Sequence, residues 1–352
     1  MRLAKTINSN MKRLGFFGKL IFIVNTLAAL LLLISYLLPY APPQRFATLS
    51  VLSLGVPLLI FLNILFFLYW AIQLRKQLFL SLIVLILGYK YISSIYQFSS
   101  TEILDDPADF SVMSFNVRSF NVFQWLPNKN VKSDIISLIA KEKPDVISLQ
   151  EYRRGSPISL EGYYNFNAKY TKSAKGGQAI FSKFPIVNSG SLEFQNTRNN
   201  AIFVDIVKQK DTIRIYNLHL QSAGINTDVD ALTEESSEQI FKQVGRTFKV
   251  QQKQVELLLK HKAKCTYKTI IAGDFNNTAY SYIYKEILGE DLLDTFEEAG
   301  HGFGKTLDFK YFPMRIDFIL ADKAFTVNGF KTYSDVQLSD HYPIKATLKL
   351  DQ

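Results

Sequence analysis

The sequence predicts an α+β domain, a sandwich of two β-sheets with helices on the outer faces, preceded by a block of transmembrane helices. Three observations predict it. Composition changes abruptly near residue 105, eight strand-like runs recur at short intervals beyond that point, and helical segments sit between several of them.

Residues 1–19 form a basic flank carrying Arg2, Lys5, Lys12, Arg13 and Lys19. A helix needs ~20 apolar residues to cross a hydrocarbon core of ~30 Å. The runs 20–40 and 49–73 meet that length, and Gly55 and Pro57 in the second are tolerated by membrane helices. A third run, 78–98, reaches Lys90 ~18 Å along a helix from Leu78. There the lysine can snorkel to the surface, with Tyr89, Tyr91 and Tyr96 as an interfacial belt. The alternative for this run is a half-helix, buried in the membrane or packed on its surface. The first loop has only Arg45, whereas the second has Arg75 and Lys76. Because cytoplasmic loops are enriched in Lys and Arg, three spans place the rest of the chain on the non-cytoplasmic face, and two leave it cytoplasmic. The first span lacks a small-residue cleavage site and is expected to remain in place. No polar cluster is expected within the spans, which argues against a transport pathway.

The formal charge of +9 has the same source. Residues 1–104 hold nine Lys or Arg and one acid, Glu102, while the remainder holds 31 basic and 30 acidic residues. The basicity is a topology signal and gives no support to a nucleic-acid-binding surface. A single cysteine, Cys265, excludes an intrachain disulfide and a CxxC metal site. A linker at 99–108 leads into a domain at 109–352, long enough to bury a full core.

Within that domain the strand-like runs are 110–117, 145–152, 177–184, 201–207, 212–220, 268–275, 314–320 and 343–350. They are rich in Val, Ile and aromatics and are bounded by Gly, Pro, Asn or Asp. Helical patterns cover 131–142, about 232–260, and 280–289. The polar stretch 222–250 reads as a solvated loop entering an amphipathic helix, with a substrate lid or a membrane-facing element as the alternatives.

Polar residues collect where these runs end: Asn116, Glu151, His219, Asp274 with Asn276, Asp317, and the pair Asp340-His341. Apolar strands gain nothing from ending in acids, amides and imidazoles, so the repetition points to chemistry. Asp274 and Asn276 are two apart, which on extended chain puts both on one face; the plainer reading of GDFNN is a turn. A carboxylate at Glu151 suits a hard cation such as Mg2+ or Mn2+, or a salt bridge to Arg153 or Arg154. Asp317 could orient the His341 ring and favour imidazolium. His261 and His301 have no comparable setting.

The stretches SFNV, DVISLQE, GGQAIFSKFPI, NLHLQS, IIAGDFNNT, RIDFIL and SDHYPI resemble, in order, the motifs of the endonuclease/exonuclease/phosphatase superfamily across residues 110–347. The resemblance implies the four-layer α/β/β/α sandwich of deoxyribonuclease I-like proteins and a metal-dependent hydrolase of phosphate esters, most readily a phosphodiesterase. It makes Glu151 the principal Mg2+ or Mn2+ ligand, with Asn116 beside the metal or phosphate. Asp274 would align or deprotonate the attacking water, and Asn276 would help orient it. His219 would donate to a phosphoryl oxygen. His341, paired with Asp317, would act as acid/base or stabilise the pentacovalent state. Asp340 would touch the metal or a neighbouring donor. The partner of His219 stays open, since Gly176, Gly177 and Gln178 lie in the right region but offer no acid.

Three substrate classes compete: nucleic acid, a phospholipid headgroup, and a soluble ester. The near-neutral domain weakens the first, and a membrane tether favours the second by raising local concentration. A membrane-tethered binding module of the same fold, without catalysis, is the other reading; it would be expected to have lost one of the residues named above.

Overall fold

The computed structural model describes residues 14–98, 109–153, 157–169, 177–224, 237–309 and 312–351. Residues 1–13 with Arg2, Lys5, Lys12 and Arg13, the linker 99–108, Arg154, Gly176, and 225–236 of the polar stretch lie outside the described residues.

The N-terminal block contains α1 (Phe16–Ser35), α2 (Pro43–Val51), α3 (Val56–Ile72), α4 (Leu78–Leu87) and α5 (Tyr89–Ser93). Two stretches, Phe16–Tyr40 and Pro43–Ile72, are long and apolar enough to cross a membrane. The second bends at Phe46 (φ −128°) and passes through a 3-10 turn, Leu52–Gly55, before α3. Pro57 sits in the first turn of α3, where its missing N–H leaves no helical bond unmade. The run expected as a third span is divided at Gly88, which separates α4 from α5. A side chain at Gly88 would meet the Tyr36 hydroxyl at 1.9 Å, and that hydroxyl donates to the Val84 carbonyl (2.9 Å).

The helices are joined by a buried polar cluster, contrary to the sequence expectation. Asn25 Nδ2 donates to Ser81 Oγ (2.7 Å), Ser81 Oγ donates to Asn63 Oδ1 (3.2 Å), and Trp70 Nε1 donates to Asn25 Oδ1 (2.9 Å). Asn63 also donates to the Ala28 carbonyl (3.2 Å). The cluster carries no charge, and its groups satisfy one another across α1, α3 and α4. It acts as interhelical glue.

Two six-stranded sheets form the core of the second region. One has the order β10 (Leu292–Asp294), β12 (Asp317–Asp322), β9 (Lys268–Asp274), β8 (Asp211–His219), β7 (Asn200–Lys208), β6 (Ile186–Ser191). The other runs β13 (Phe325–Thr332), β14 (Ile344–Leu350), β2 (Phe110–Asn116), β3 (Val146–Gln150), β5 (Gly177–Ser182), β4 (Tyr164–Lys169). A two-stranded ribbon pairs β1 (Tyr96–Gln97) with β11 (Gly302–Phe303). Between the sheets lies an apolar core that includes Val112, Val146, Ile180, Ile215, Ile270 and Ile319. Outside the first sheet, α7 (Ser237–Lys262) and α8 (Tyr282–Leu288) pack Val255, Leu258, Ile283 and Ile287 on Tyr216 and Leu218. Outside the second, α6 (Val131–Glu142) packs Val131, Ile135 and Ile139 on Met113 and Phe115. A short α9 (Thr295–Ala299) completes the helices. These are the four layers.

Side chains alternate across a strand, so every second residue points between the sheets. Along β8 those inward positions read Ile213, Ile215, Asn217, His219; along β2 they read Phe110, Val112, Ser114, Asn116. The inter-sheet space therefore grades from apolar at one end to polar at the other. The transition is a layer of amides: Gln150 Nε2 donates to Asn217 Oδ1 (2.8 Å), Gln178 Nε2 to the Asn217 carbonyl (2.8 Å), and Asn217 Nδ2 to the carbonyls of Leu149 (2.9 Å) and Ala179 (3.0 Å). Asn217 thus ties β8 to β3 and β5 of the facing sheet.

Candidate active site

Beyond the amide layer the two sheets present opposing rows of polar and charged side chains. Register sets the first row: His219 pairs with Asp274 across β8 and β9, and Asp274 with Asp317 across β9 and β12. Gly273 makes that row possible. Its φ of 151° is open to glycine alone, and a Cβ there would meet the Leu218 carbonyl oxygen at 1.9 Å. The second row comes from the facing sheet: Asn116 at the end of β2, Glu151 just past β3, and Asp340-His341 just before β14.

The rows meet closely. Asn116 Nδ2 donates to Asp274 Oδ2 (3.1 Å) and lies 3.5 Å from Glu151 Oε1. His341 Nδ1 is 2.9 Å from Asp317 Oδ2, and its Nε2 is 3.8 Å from Asp274 Oδ2. His219 Nε2 is 3.5 Å from the same Asp274 oxygen. Asp274 therefore sits between two imidazoles. Asn276 does not share an extended face with Asp274: β9 ends at Asp274, and Asn276 takes a left-handed conformation (φ 48°). Its backbone N–H (2.8 Å) and its amide (3.1 Å) both fold back onto the Asp274 carboxylate. Glu151 is also left-handed (φ 50°), which turns its side chain in as the strand ends.

Burial sets the charge states. It disfavours the His341 cation, but the Asp317 and Asp274 carboxylates outweigh it and push the imidazole up to about 10. His219, enclosed with weaker help from Asp274, is pushed down to about 4 and is neutral at pH 7. Burial pushes Asp274 up to about 6, with Asp317 adding to the rise and the imidazoles opposing it. Burial also raises Glu151.

Asp274, Asp317 and His341 offer atoms within 4.8 Å of one another, a grouping that could geometrically hold a metal. The chemistry favours a cation elsewhere. An imidazolium has no lone pair to give, and His341 is already engaged by Asp317. Glu151 offers a buried carboxylate beside Asn116, which suits a hard cation better. Asn116 Oδ1, however, accepts the Arg118 N–H (3.1 Å), so its amide nitrogen is what faces the carboxylates. Asp340 meets a neighbouring donor, with Oδ2 3.1 Å from Arg118 Nη1.

Sequence reasoning misses Arg118. It stacks over Trp125 (4.3 Å) and holds Asp340, yet it falls outside the apolar runs whose ends carry the signal. It also misses Gln251 of α7, whose amide donates to the carbonyls of Gln221 (2.8 Å) and Asn276 (3.1 Å) and whose Oε1 accepts from Asn277 (2.8 Å). Gln251 braces the turn after Asp274. Gln178 serves the amide layer rather than His219. His261 bonds through Nδ1 to the Tyr216 hydroxyl (2.7 Å), away from the site.

Residues 113–341 match the model of the endonuclease/exonuclease/phosphatase family, and residues 18–95 match a domain of unknown function (DUF8431). No curated protein matches the chain. Among solved structures, an endonuclease/exonuclease/phosphatase family protein from Bacteroides thetaiotaomicron is 20% identical (TM-score 0.53), covering 70% of this chain and 100% of its own. The human Nocturnin catalytic domain with bound sulfate is 18% identical (TM-score 0.52; 70% and 96%). D. rerio TDP2 complexed with single-strand DNA product is 16% identical (TM-score 0.51; 69% and 100%). At these identities the likeness is one of fold. The family match spans most of the chain, and the chain belongs to the endonuclease/exonuclease/phosphatase family.

Proposed function

We propose that this family member is a membrane-anchored phosphodiesterase, dependent on Mg2+ or Mn2+, with its catalytic domain on the non-cytoplasmic side. The observation that carries the reading is Asp274 held between His219 (3.5 Å) and the Asp317-paired His341 (3.8 Å), with Asn116 bridging toward Glu151.

A divalent cation held by Glu151, with Asn116 beside it, would offset charge on the phosphoryl oxygens. The chain's own groups supply the rest. Asp274, with a pKa near 6, is ionised at neutral pH yet basic enough to take a proton from water. Asn276 fixes that carboxylate from two sides. The water oxygen bonds to phosphorus, the ester P–O bond breaks, and the Nε2 proton of His341 passes to the departing oxygen. The products are a phosphate monoester and an alcohol, and exchange with solvent restores both side chains. His219, neutral, keeps one N–H for a non-bridging oxygen. Asp317 holds the His341 ring and its charge throughout.

The bundle supports the sidedness. Trp70 at the end of α3 meets Asn25 and Phe22 of α1, whereas Tyr36 at the other end of α1 stacks on Tyr91 (4.9 Å). The Tyr280 hydroxyl of the catalytic domain donates to the Tyr91 carbonyl (2.9 Å). In this reading α4 and α5 together form the third pass, ~24 Å long, and Lys19, Arg75 and Lys76 lie at the end of the bundle away from the catalytic domain. Lys and Arg favour the cytoplasmic end.

The test uses the full chain in detergent micelles with Mg2+ or Mn2+ against supercoiled DNA, RNA, sphingomyelin, phosphoinositides and bis(p-nitrophenyl) phosphate. Hydrolysis that is lost on chelation and in His341→Ala supports the reading. Equal rates in His341→Ala and the parent protein overturn it.

A further inference from the structure

The catalytic end of the sandwich faces the helix bundle. Three chain segments that leave the site touch the elbow between α2 and α3 or the bundle itself. Ala223, four residues past His219, packs with Val51, Val244 and Phe248. Tyr280, four past Asn276, is buried in the bundle's own core with Val56 and Ile60. The segment before Asp317 closes a cavity against the first turn of α3. Gln44 of α2 adds polar contacts to α7, its N–H donating to Gln252 Oε1 (2.9 Å).

That cavity measures about 320 Å³, within the range of ~300–1,000 Å³ typical of ligand sites. Leu54, Pro57 and Leu58 line it from the bundle, and Tyr280, Phe309 and Met314 from the catalytic domain. Arg315, the charged residue in the lining among the described residues, pairs through Nη1 with Asp294 (2.7 Å) and donates from Nε to the Ser94 carbonyl (3.1 Å), while its buried Nη2 has no hydrogen-bond partner among the described residues. Thr278, also in the lining, has a buried hydroxyl with no hydrogen-bond partner among the described residues. The apolar walls suit hydrocarbon, and the Thr278 hydroxyl and Arg315 Nη2 are polar groups available to ester or phosphate oxygens.

None of the reacting groups lines the cavity, but its walls connect to them along the chain. Thr278 is two residues past Asn276, and Met314 is three before Asp317. Leu307 bridges to both Met314 and His341, and the Asp308 N–H donates to the Asp340 carbonyl (2.7 Å). The bridges of Leu307 to Met314 and to His341 thus link the cavity wall to the site.

We propose that the cavity between the start of α3 and the catalytic domain holds a hydrocarbon chain of the substrate, and that the substrate is a phosphate-ester lipid drawn from the membrane. This deepens the phosphodiesterase reading and rests on it. A lipid whose headgroup phosphate lies at Asp274 and His341 would keep its tail in continuous apolar surroundings, from bilayer to cavity, while a water-soluble ester would leave the cavity unused.

The experiment pairs catalysis with binding. The full chain and its Leu58→Trp and Ala279→Trp variants, which narrow the cavity, are assayed in mixed micelles against phosphatidylglycerol and against bis(p-nitrophenyl) phosphate. In parallel, each is irradiated with phosphatidylglycerol carrying a diazirine on one acyl chain, and labelled residues are mapped. The expected result is labelling at the cavity wall that the variants reduce, with the ratio of lipid to soluble-ester hydrolysis falling at least ten-fold. An unchanged ratio, an equal fall on both esters, or no labelling at the cavity overturns the proposal. If the parent protein hydrolyses neither ester, the phosphodiesterase reading has failed, and the labelling still reports separately on whether the cavity takes a lipid chain.

Discussion

Two clusters of buried polar side chains lie in this molecule, one in the helix bundle and one at the end of the sandwich, and they are built on opposite terms. In the bundle, Asn25, Asn63, Ser81 and Trp70 are all neutral and hydrogen-bond one another. Nothing there can titrate. At the sandwich end, Glu151, Asp274 and Asp317 crowd around two imidazoles, and the proton affinities of Glu151, Asp274 and both histidines are displaced in different directions. Equal enclosure thus yields a neutral joint in one place and a charged, titratable cluster in the other. What decides is whether the groups can satisfy one another without charge.

The contrast breaks most visibly at the reactive cluster. His341→Ala and Asp274→Asn should each lower the hydrolysis rate by roughly a thousand-fold or more, as loss of a proton-transfer group does, with the melting temperature retained. A full rate in either would return the site to an ordinary buried cluster. Asp317→Asn should come next, costing about a hundred-fold and altering the pH profile. In the parent protein activity should rise as Asp274 loses its proton through about 6 and fall as His341 loses its own near 10. Without the Asp317 carboxylate the upper limb should move down toward neutrality. An unmoved limb would mean that His341 does not owe its charge to Asp317.

Stability should follow His341 as well. Its folded pKa lies above the ordinary 6.5, so its contribution is present in full below pH 6.5 and is lost as pH rises through about 10. Thermal melts of chelated protein across that window should show the decline, and Asp317→Asn should flatten it.

The bundle answers on a smaller scale. Asn25→Leu should weaken helix association by about 1 kcal/mol, in keeping with interhelical hydrogen bonds in membranes, and leave the kinetics on a soluble ester untouched. The smallest effect belongs to an outer-face cluster. Burial works against the charge of Glu142, but hydrogen bonds from Lys345 (2.7 Å) and Tyr333 (2.5 Å) outweigh it and hold the carboxyl down to about 2. Its contribution is present above about pH 4.5 and fades as pH falls toward 2. Glu142→Gln should therefore lower the melting temperature slightly at pH 7 and progressively less in acid.

The reactive cluster is more legible in the sequence than the joint. Inward strand positions run from apolar to polar toward one end, so Asn116, His219, Asp274 and Asp317 stand out as the polar terminus of an apolar alternation. Asn217, one inward step before His219, carries the same signal, yet its role as a tie between the sheets depends on Leu149 and Ala179 of distant strands. The edge strands β4 and β6 escape a sequence reading because YNFNAK and IVNSGS are rich in Asn, Ser and Gly, which favour turns over strands. Asn-Gly at 328–329 likewise reads as a hairpin turn, but lies inside β13, where the register shifts between Val327 and Gly329. In the bundle, Asn25 and Asn63 are visible as amides in apolar runs, while their meeting depends on how three helices pack. Nothing in the sequence brings Tyr280 or Ala223 to the bundle, since contacts between separate layers leave no local pattern.

The place of β14 bears on how the molecule is made. It lies between β13 and β2, with Leu348 paired to Phe110 and Ile344 to Ser114. At ~5–20 residues per second of synthesis, the interval between these strands is on the order of ten seconds or more. Throughout it β2 waits with one edge unpaired, and His341, immediately upstream of β14, has not yet joined Asp317. A nascent chain paused before residue 341 would hold its N-terminal helices and most of its strands and still lack the Asp317–His341 pair, so that pair is among the last contacts the molecule can form.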